Sequence, residues 1–275
     1  MKTKTLKSNL LLLLAAAIWG IAFVAQRVGM DHVGPFTYNG VRFALGAFSL
    51  IPLILYLDNR AKSDGNYKEG IKDDLRAGFL VGLVLFIAAS LQQIGLLYTS
   101  AGKSAFITGL YIVLVPLFGI FLGQMCRINT WLGVILAAGG LFLLCITDSL
   151  TIEKGDLYEL AGAAFWAVHI LLVGYFTKKV DVLKLSFFQF ITCSVLSTGT
   201  ALLIEKITLN SLLQAAVPIL YGGICSVGVA YTLQVVGQKN AEPAQAAIIL
   251  SMETVFAALG GWLIIDENLG IRGVS

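Results

Sequence analysis

The sequence predicts an all-α integral membrane protein with nine transmembrane helices present of an expected ten, arranged as two inverted five-helix repeats. Three observations carry that expectation: an apolar composition, a succession of long apolar runs between short polar hinges, and self-similarity between the halves. Of 275 residues, 57% are hydrophobic and 13% charged, and the mean hydropathy is +0.85, whereas an average soluble domain carries about 25% charged residues. A spanning helix needs roughly 20 mostly apolar residues, so spans and short loops use up a chain of this length. No sizeable soluble domain fits beside them, and the chemistry has to lie within the bilayer.

The first run, Leu10 to Val28, follows Lys2, Lys4 and Lys7. That start resembles a secretory signal, but eight more apolar runs follow and it reads as an uncleaved first span. The second, Phe36 to Leu57, begins after Gly34-Pro35 and stops at Asp58-Asn59-Arg60, the punctuation expected at helix ends. Leu75 to Tyr98 and Ser104 to Gly123 are hinged by Ser100-Ala101-Gly102-Lys103. Trp131 to Thr147 holds Gly133, Gly139 and Gly140, lacks an ionisable residue before its end, and reads as peripheral. Leu157 to Phe176, Leu185 to Ile204, Leu212 to Val236 and Ala244 to Ile265 follow, with Asn240-Ala241-Glu242-Pro243 separating the last two. Residues 266–275 read as the lead-in to a tenth span that the sequence lacks.

With the N-terminus in the cytoplasm, Lys2, Lys4, Lys7, Arg60, Lys62, Lys68, Lys72, Arg76, Arg127, Lys178, Lys179, Lys184 and Lys239 fall inside. Only Arg27, Lys103, Lys154, Lys206 and Arg272 fall outside. This positive-inside bias predicts a multi-pass protein of the cytoplasmic (inner) membrane. The net charge of +3 therefore reports topology and implies no nucleic-acid partner. Cys145, Cys193 and Cys225 lie inside apolar runs and Cys126 beside a short basic loop, so no disulfide framework is implied.

Aligning the chain with itself pairs Ala101 with Ala241, Gly133 with Gly273 and Val134 with Val274. Earlier in the halves, Ala16-Ala17-Ile18-Trp19 pairs with Ala163-Ala164-Phe165-Trp166, and Arg42 with Gln189. Two repeats, residues 8–147 and 156–275, account for these matches. Five spans is an odd number, so successive copies enter the membrane in opposite directions. Inverted repeats place a substrate site near the midplane between them, exposed to either side by rocking, and the architecture points to a secondary transporter of a small solute.

The stretch Leu91-Gln92-Gln93-Ile94-Gly95-Leu96-Leu97-Tyr98-Thr99-Ser100-Ala101-Gly102-Lys103-Ser104-Ala105-Phe106-Ile107-Thr108-Gly109-Leu110-Tyr111, followed by Val115-Pro116, carries a family likeness. So does its second-half counterpart, Ser251-Met252-Glu253-Thr254-Val255-Phe256-Ala257-Ala258-Leu259. Over nearly its whole length the chain resembles the EamA-like branch of the drug/metabolite transporter (DMT) superfamily, which has ten spans in two repeats. It departs from that pattern in having Glu253-Thr254 where Glu-Pro is usual, and Arg127 where a Glu usually ends the fourth span; Glu267 keeps that Glu in the second repeat. The resemblance implies an exporter of metabolites, amino acids or drugs from the cytoplasm, driven by a coupling proton or other ion or by the solute's own gradient.

Ionisable groups inside a bilayer are costly, by about 2.5–3.5 kcal/mol on insertion scales, and mark functional sites by default. Glu253 lies near the middle of its predicted span. It reads as a proton carrier or a counter-charge for a cationic solute, or else as a structural hydrogen-bonding group. Arg42, about two turns into the second span, either binds a solute carboxylate bidentately, snorkels to the surface, or pairs with Glu253. Polar and aromatic stripes at helical spacing comprise Trp19 and Gln26; Tyr38 and Arg42; Ser104, Thr108 and Tyr111; Trp166 and His169; Tyr231, Gln234 and Gln238. From these and their neighbours, Trp19, Gln93, Tyr111, His169, Gln189, Tyr231 and Gln234 join Arg42 and Glu253 as candidates for lining a pocket. The alternative for each is an interhelical hydrogen bond without solute contact; His169 either titrates near neutral pH or is a structural donor.

Other chemistries find little support. Gly102-Lys103-Ser104 imitates the end of a phosphate loop, but the Gly required five residues earlier is Leu97. With only His32 and His169 present, no metal-ligand spacing and no cofactor site emerge. An intramembrane enzyme needs a nucleophile with a positioned base, and His169 has no serine in a Gly-x-Ser-x-Gly setting to serve. A channel or a non-transporting scaffold is the remaining alternative.

Overall fold

The computed structural model of the protein describes residues 2–64, 70–123, 128–145 and 153–265. These residues form helices and no strand: α1 (Lys2–Gly29), α2 (Pro35–Ser63), α3 (Ile71–Gly95), α4 (Ala101–Gly109), α5 (Tyr111–Phe121), α6 (Ile128–Cys145), α7 (Lys154–Phe176) and α8 (Val182–Ile204). After them come α9 (Leu209–Gln214), α10 (Ala216–Leu220), a π-helical segment (Tyr221–Tyr231), α11 (Thr232–Gln238), α12 (Pro243–Leu250) and α13 (Glu253–Ile265).

Among the described residues, eight stretches are long and apolar enough to cross a membrane: Thr5–Gly29, Pro35–Ser63, Ile71–Gly95, Ala101–Phe121, Lys154–Phe176, Val182–Ile204, Ala216–Gln238 and Pro243–Ile265. The shorter apolar α6 lies where the fifth run was expected. The protein is thus an all-α membrane protein. Arg127, Thr147, Glu267 and the expected lead-in to a tenth span lie outside the described residues.

Three of the predicted spans are not continuous α-helices: the fourth, the last, and Leu212 to Val236, which contains the π-helical segment. The fourth turns at Leu110, where Val113 N donates to Leu110 O, three residues back, at 3.0 Å. Pro116, one turn further on, has no N–H to extend the ladder. The last span turns at Ser251-Met252, where Thr254 N donates to Ser251 O at 3.1 Å and Val255 N to Met252 O at 3.0 Å. Ser251 Oγ donates to Ile248 O at 2.9 Å, giving that carbonyl a side-chain partner at the turn. Such tightened turns interrupt an α-helix without exposing its backbone to lipid. In consequence Glu253 begins a helix, α13, and is not the midpoint of an unbroken one.

Small residues let the bundle close. A methyl group on Gly20 would lie 2.3 Å from Phe256 Cβ and 2.7 Å from Ala257 N, so α1 and α13 touch backbone to backbone. Gly78 and Gly82 do the same for α3 against Phe188 and Thr192 of α8. This is the packing use expected of a small-xxx-small spacing. Around these contacts a buried core runs from Leu12 and Ala15 through Phe43, Leu85, Trp166, Phe190 and Val227 to Leu250. Leucines and phenylalanines such as Phe121 and Leu203 stand on the outer surface, where lipid is their solvent. α6 shares this outward character at Ile135 and Leu136, in keeping with a peripheral helix.

Candidate functional site

The core holds a small cavity of about 30 Å³, lined by aromatic, polar and charged side chains. Six sequence candidates line it: Trp19, Arg42, Tyr111, Tyr231, Gln234 and Glu253. They come from α1, α2, α5, α11 and α13 and the π-helical segment, so the site exists only when both ends of the chain pack together.

Glu253 is 4% exposed, and its Oε1 accepts a hydrogen bond from the Tyr111 hydroxyl at 2.9 Å. Tyr111 is the first residue of α5 and Glu253 the first of α13. The two broken helices therefore meet at their breaks, and Glu253 sits at a helix N-terminus, where the dipole favours a carboxylate. Next to it, Thr254 Oγ1 donates to Ala105 O at 2.9 Å and fastens α13 to α4.

Arg42 is 2% exposed and does not snorkel. Its Nε donates to Asn39 Oδ1 at 2.9 Å, and its guanidinium lies 4.9 Å from the Phe43 ring centroid and 5.4 Å from that of Tyr38. Among the described residues no ion pair joins it to Glu253. Ring faces and one amide hold the cation, an arrangement that keeps it stacked while leaving guanidinium donors available to the cavity it lines.

Tyr231 is the centre of the aromatic wall, 4.6 Å from Trp19, 5.9 Å from both Phe43 and Phe190, and 6.1 Å from Trp166 between ring centroids. Trp19 Nε1 donates to the Ser226 carbonyl of the π-helical segment at 3.3 Å. Opposite, Trp166 Nε1 donates to Gln92 Oε1 at 2.8 Å, and Gln92 Nε2 donates to Gln26 Oε1 at 3.3 Å.

The other three candidates do not reach the cavity. Gln93 is fully buried and turns its Nε2 to the Gln26 carbonyl at 3.4 Å, while its neighbour Gln92 faces the space. His169 and Gln189 bond each other, Nε2 to Oε1 at 2.9 Å, with the imidazole edge-on to Tyr231 at 6.2 Å. They support the wall from behind. The candidate set omits Gln26, Thr108 and Trp166, which its own stripes contained, and also Gln92, Ser226 and Leu250. It omits a second buried carboxylate as well: Glu159, 0% exposed, which accepts from Ser104 Oγ at 2.6 Å and Thr108 Oγ1 at 3.0 Å. Among the described residues, no group of three or more His, Cys, Asp or Glu side chains is arranged to hold a metal.

A multi-pass helical bundle around an internal aromatic and polar cavity defines the class, an all-α membrane protein with a buried site. The family profile described as the EamA-like transporter family matches residues 6–146 and again 153–275. The chain belongs to the EamA-like transporter family. It is 28% identical to an uncharacterized transporter of Archaeoglobus fulgidus, over 97% of this chain and 80% of that one. It is 22% identical to the uncharacterized transporter YoaV of Bacillus subtilis, over 93% and 87%, and 23% identical to the uncharacterized inner membrane transporter YedA of Escherichia coli, over 92% and 81%. A crystal structure at 18% identity superimposes with a TM-score of 0.74, over 97% of this chain and 91% of the other, a likeness of fold.

Proposed function

We propose that the protein is a secondary transporter that exports a small metabolite, amino acid or drug by alternating access, with its N-terminus in the cytoplasm of a cell with an inner membrane. The observation that carries this reading is the crossing of two interrupted helices at the cavity, joined by the Tyr111–Glu253 hydrogen bond. Interrupted helices at a central cavity are a recurrent way of building transporter sites. The breaks fall at Leu110 and at Ser251-Met252, within two residues of equivalence when Ala101 is aligned with Ala241. That equivalence, with the two family matches, supports two repeats that rock about the site, residues 8–147 and 156–275.

Within that site Arg42 supplies positive charge, Glu253 a carboxylate, and Trp19, Trp166 and Tyr231 an apolar wall. The lining contains no histidine or cysteine, so no Ser–His or Cys–His pair arises there, and transport accounts for it better than catalysis. The test is counterflow of labelled amino acids and cationic drugs in sealed proteoliposomes. Saturable exchange is expected, and Glu253→Gln should lower it by an order of magnitude or more while the protein elutes and unfolds as the parent does. Conductance without saturation would favour a channel, and no exchange across a broad panel by folded protein would remove the carrier reading.

A further inference from the structure

We propose that Glu159 is a proton-binding site that exchanges its proton with the central cavity through Thr108, a second exchangeable carboxyl beside Glu253. Glu159 lies in the second turn of α7 with no exposure to solvent. Among the described residues its oxygens accept from hydroxyls, Ser104 Oγ at 2.6 Å and Thr108 Oγ1 at 3.0 Å. An ionised carboxylate in so dry a place needs a cation, and the described residues offer it no ion pair. Lys103, the nearest cation in sequence to these hydroxyls, is engaged 2.8 Å from Asp156 Oδ2 and 3.9 Å from Glu153 Oε2. An unpaired buried charge of this kind is relieved by taking up a proton.

The remaining ionisable groups around Glu159 do not alter that conclusion. On its own helix Asp156 stands one turn away and adds negative charge, with its Oδ1 buried and unpartnered; Lys154 and Tyr158 also flank it in sequence. α3 approaches through Gly95, where a methyl group would lie 2.5 Å from Glu159 Oε1. The ionisable residues of α3, Lys72, Asp73, Asp74 and Arg76, are some 20 residues earlier, about 30 Å along the helix. α5 brings Tyr111, which is bonded to Glu253; α11 and α12 contain no ionisable side chain.

Two features make this a place of exchange and not only of burial. Thr108 both bonds Glu159 and lines the cavity. Ser104, Thr108 and Tyr111 also follow one another at helical spacing, so hydroxyls from α4 and α5 serve Glu159 and Glu253 in turn. For the transfer the Thr108 hydroxyl turns from Glu159 to donate to cavity water, and the acid proton of Glu159 then passes to Thr108 Oγ1 as the original hydroxyl proton leaves to that water. The products are a carboxylate, an intact threonine and a hydrated proton. A role in driving transport rests on the carrier reading above; the titration itself does not.

The test is infrared difference spectroscopy of the reconstituted protein through pH steps and H₂O-to-D₂O exchange, with no solute added. Wild-type protein should show a protonated-carboxyl C=O band that Glu159→Gln removes, distinct from the one that Glu253→Gln removes. The Glu159 band should shift in D₂O, and Thr108→Val should slow that shift by roughly 10-fold or more, as loss of a proton-transferring group does. Ser104→Ala should move the band's frequency by deleting one hydrogen bond, which identifies it even if Glu159→Gln fails to assemble. A spectrum unchanged by both Glu159→Gln and Ser104→Ala would overturn the proposal, as would a Glu159 band that resists D₂O or exchanges at the parental rate in Thr108→Val. Proton exchange here alongside failed counterflow would reject only the carrier reading.

Discussion

Arg42 shows how much a single buried side chain depends on its neighbours. Its Nε donates to Asn39 Oδ1, and Asn39 is itself tied to α3 through Nδ2 donating to Ala89 O at 3.1 Å. Asn39→Ala strands the Arg42 Nε–H and unties α2 from Ala89 O, and leaving a buried polar group unsatisfied costs about 1–3 kcal/mol. A lowered thermal unfolding midpoint of the purified protein is the expected result; an unchanged midpoint would mean that the cation finds support elsewhere. At this scale helical spacing made Trp19, Arg42, Tyr111, Tyr231, Gln234 and Glu253 legible in the sequence. It did not separate Gln92 from Gln93, because α3 is packed by α7 on one side and α8 on another and both glutamines are buried. Glu159 was hidden for a different reason. It stands third in the predicted run Leu157 to Phe176, close to Lys154 and Asp156, where a carboxylate reads as a group at the membrane surface; the start of α7 at Lys154 and its full burial place it in the bundle.

Hydropathy located the spans but not their interruptions, because apolar letters continue through Leu110 and through Ser251-Met252. What separates a broken helix from a whole one is which carbonyl each amide reaches, and composition does not record that. Close approach is also an element-level property. Gly20→Leu forces a branched side chain against the backbone of α13 at Ala257, and overpacking costs typically about 1–3 kcal/mol. Its yield of monodisperse protein in size-exclusion chromatography should fall sharply. Gly139→Ala on α6, where nothing lies within 4 Å of the added methyl group, should match the parent. Equal yields from the two variants would contradict the tight α1–α13 contact.

Across the whole molecule, contacts that tie distant helices together lie toward both ends of the bundle. At one, Glu205 beyond α8 accepts from Phe36 N at 2.9 Å, Thr37 N at 2.8 Å and Thr37 Oγ1 at 2.6 Å, tying itself to the start of α2. At the other, Lys184 on α8 lies 3.1 Å from Asp58 on α2, and Asp74 on α3 accepts from Asp181 N at 3.0 Å. Alternating access requires at least one of these ends to part. In a background with the four native cysteines replaced, a short reducible cross-linker between Thr37→Cys and Glu205→Cys should stop counterflow, and reduction should restore it. Exchange that persists through complete cross-linking would mean that the α2–α8 end does not move. The self-similarity of the halves was legible as scattered identities, but the sequence alone did not reveal that their breaks meet at one hydrogen bond.

The π-helical segment makes chain length itself part of the binding site. Its wide turns set the angle at which α11 continues, and hence which residues after Tyr231 look inward: Gln234 to the cavity, and Gln238 to the Ile170 carbonyl at 2.9 Å. One residue fewer between Tyr221 and Tyr231 would turn everything beyond by close to a quarter turn, a smaller step than that of an α-helix because each π-helical turn holds more residues. Substitutions there edit the wall one letter at a time, whereas a deletion exchanges the entire downstream face. Relatives with matching letters on both sides of a gap in this stretch therefore need not share a solute.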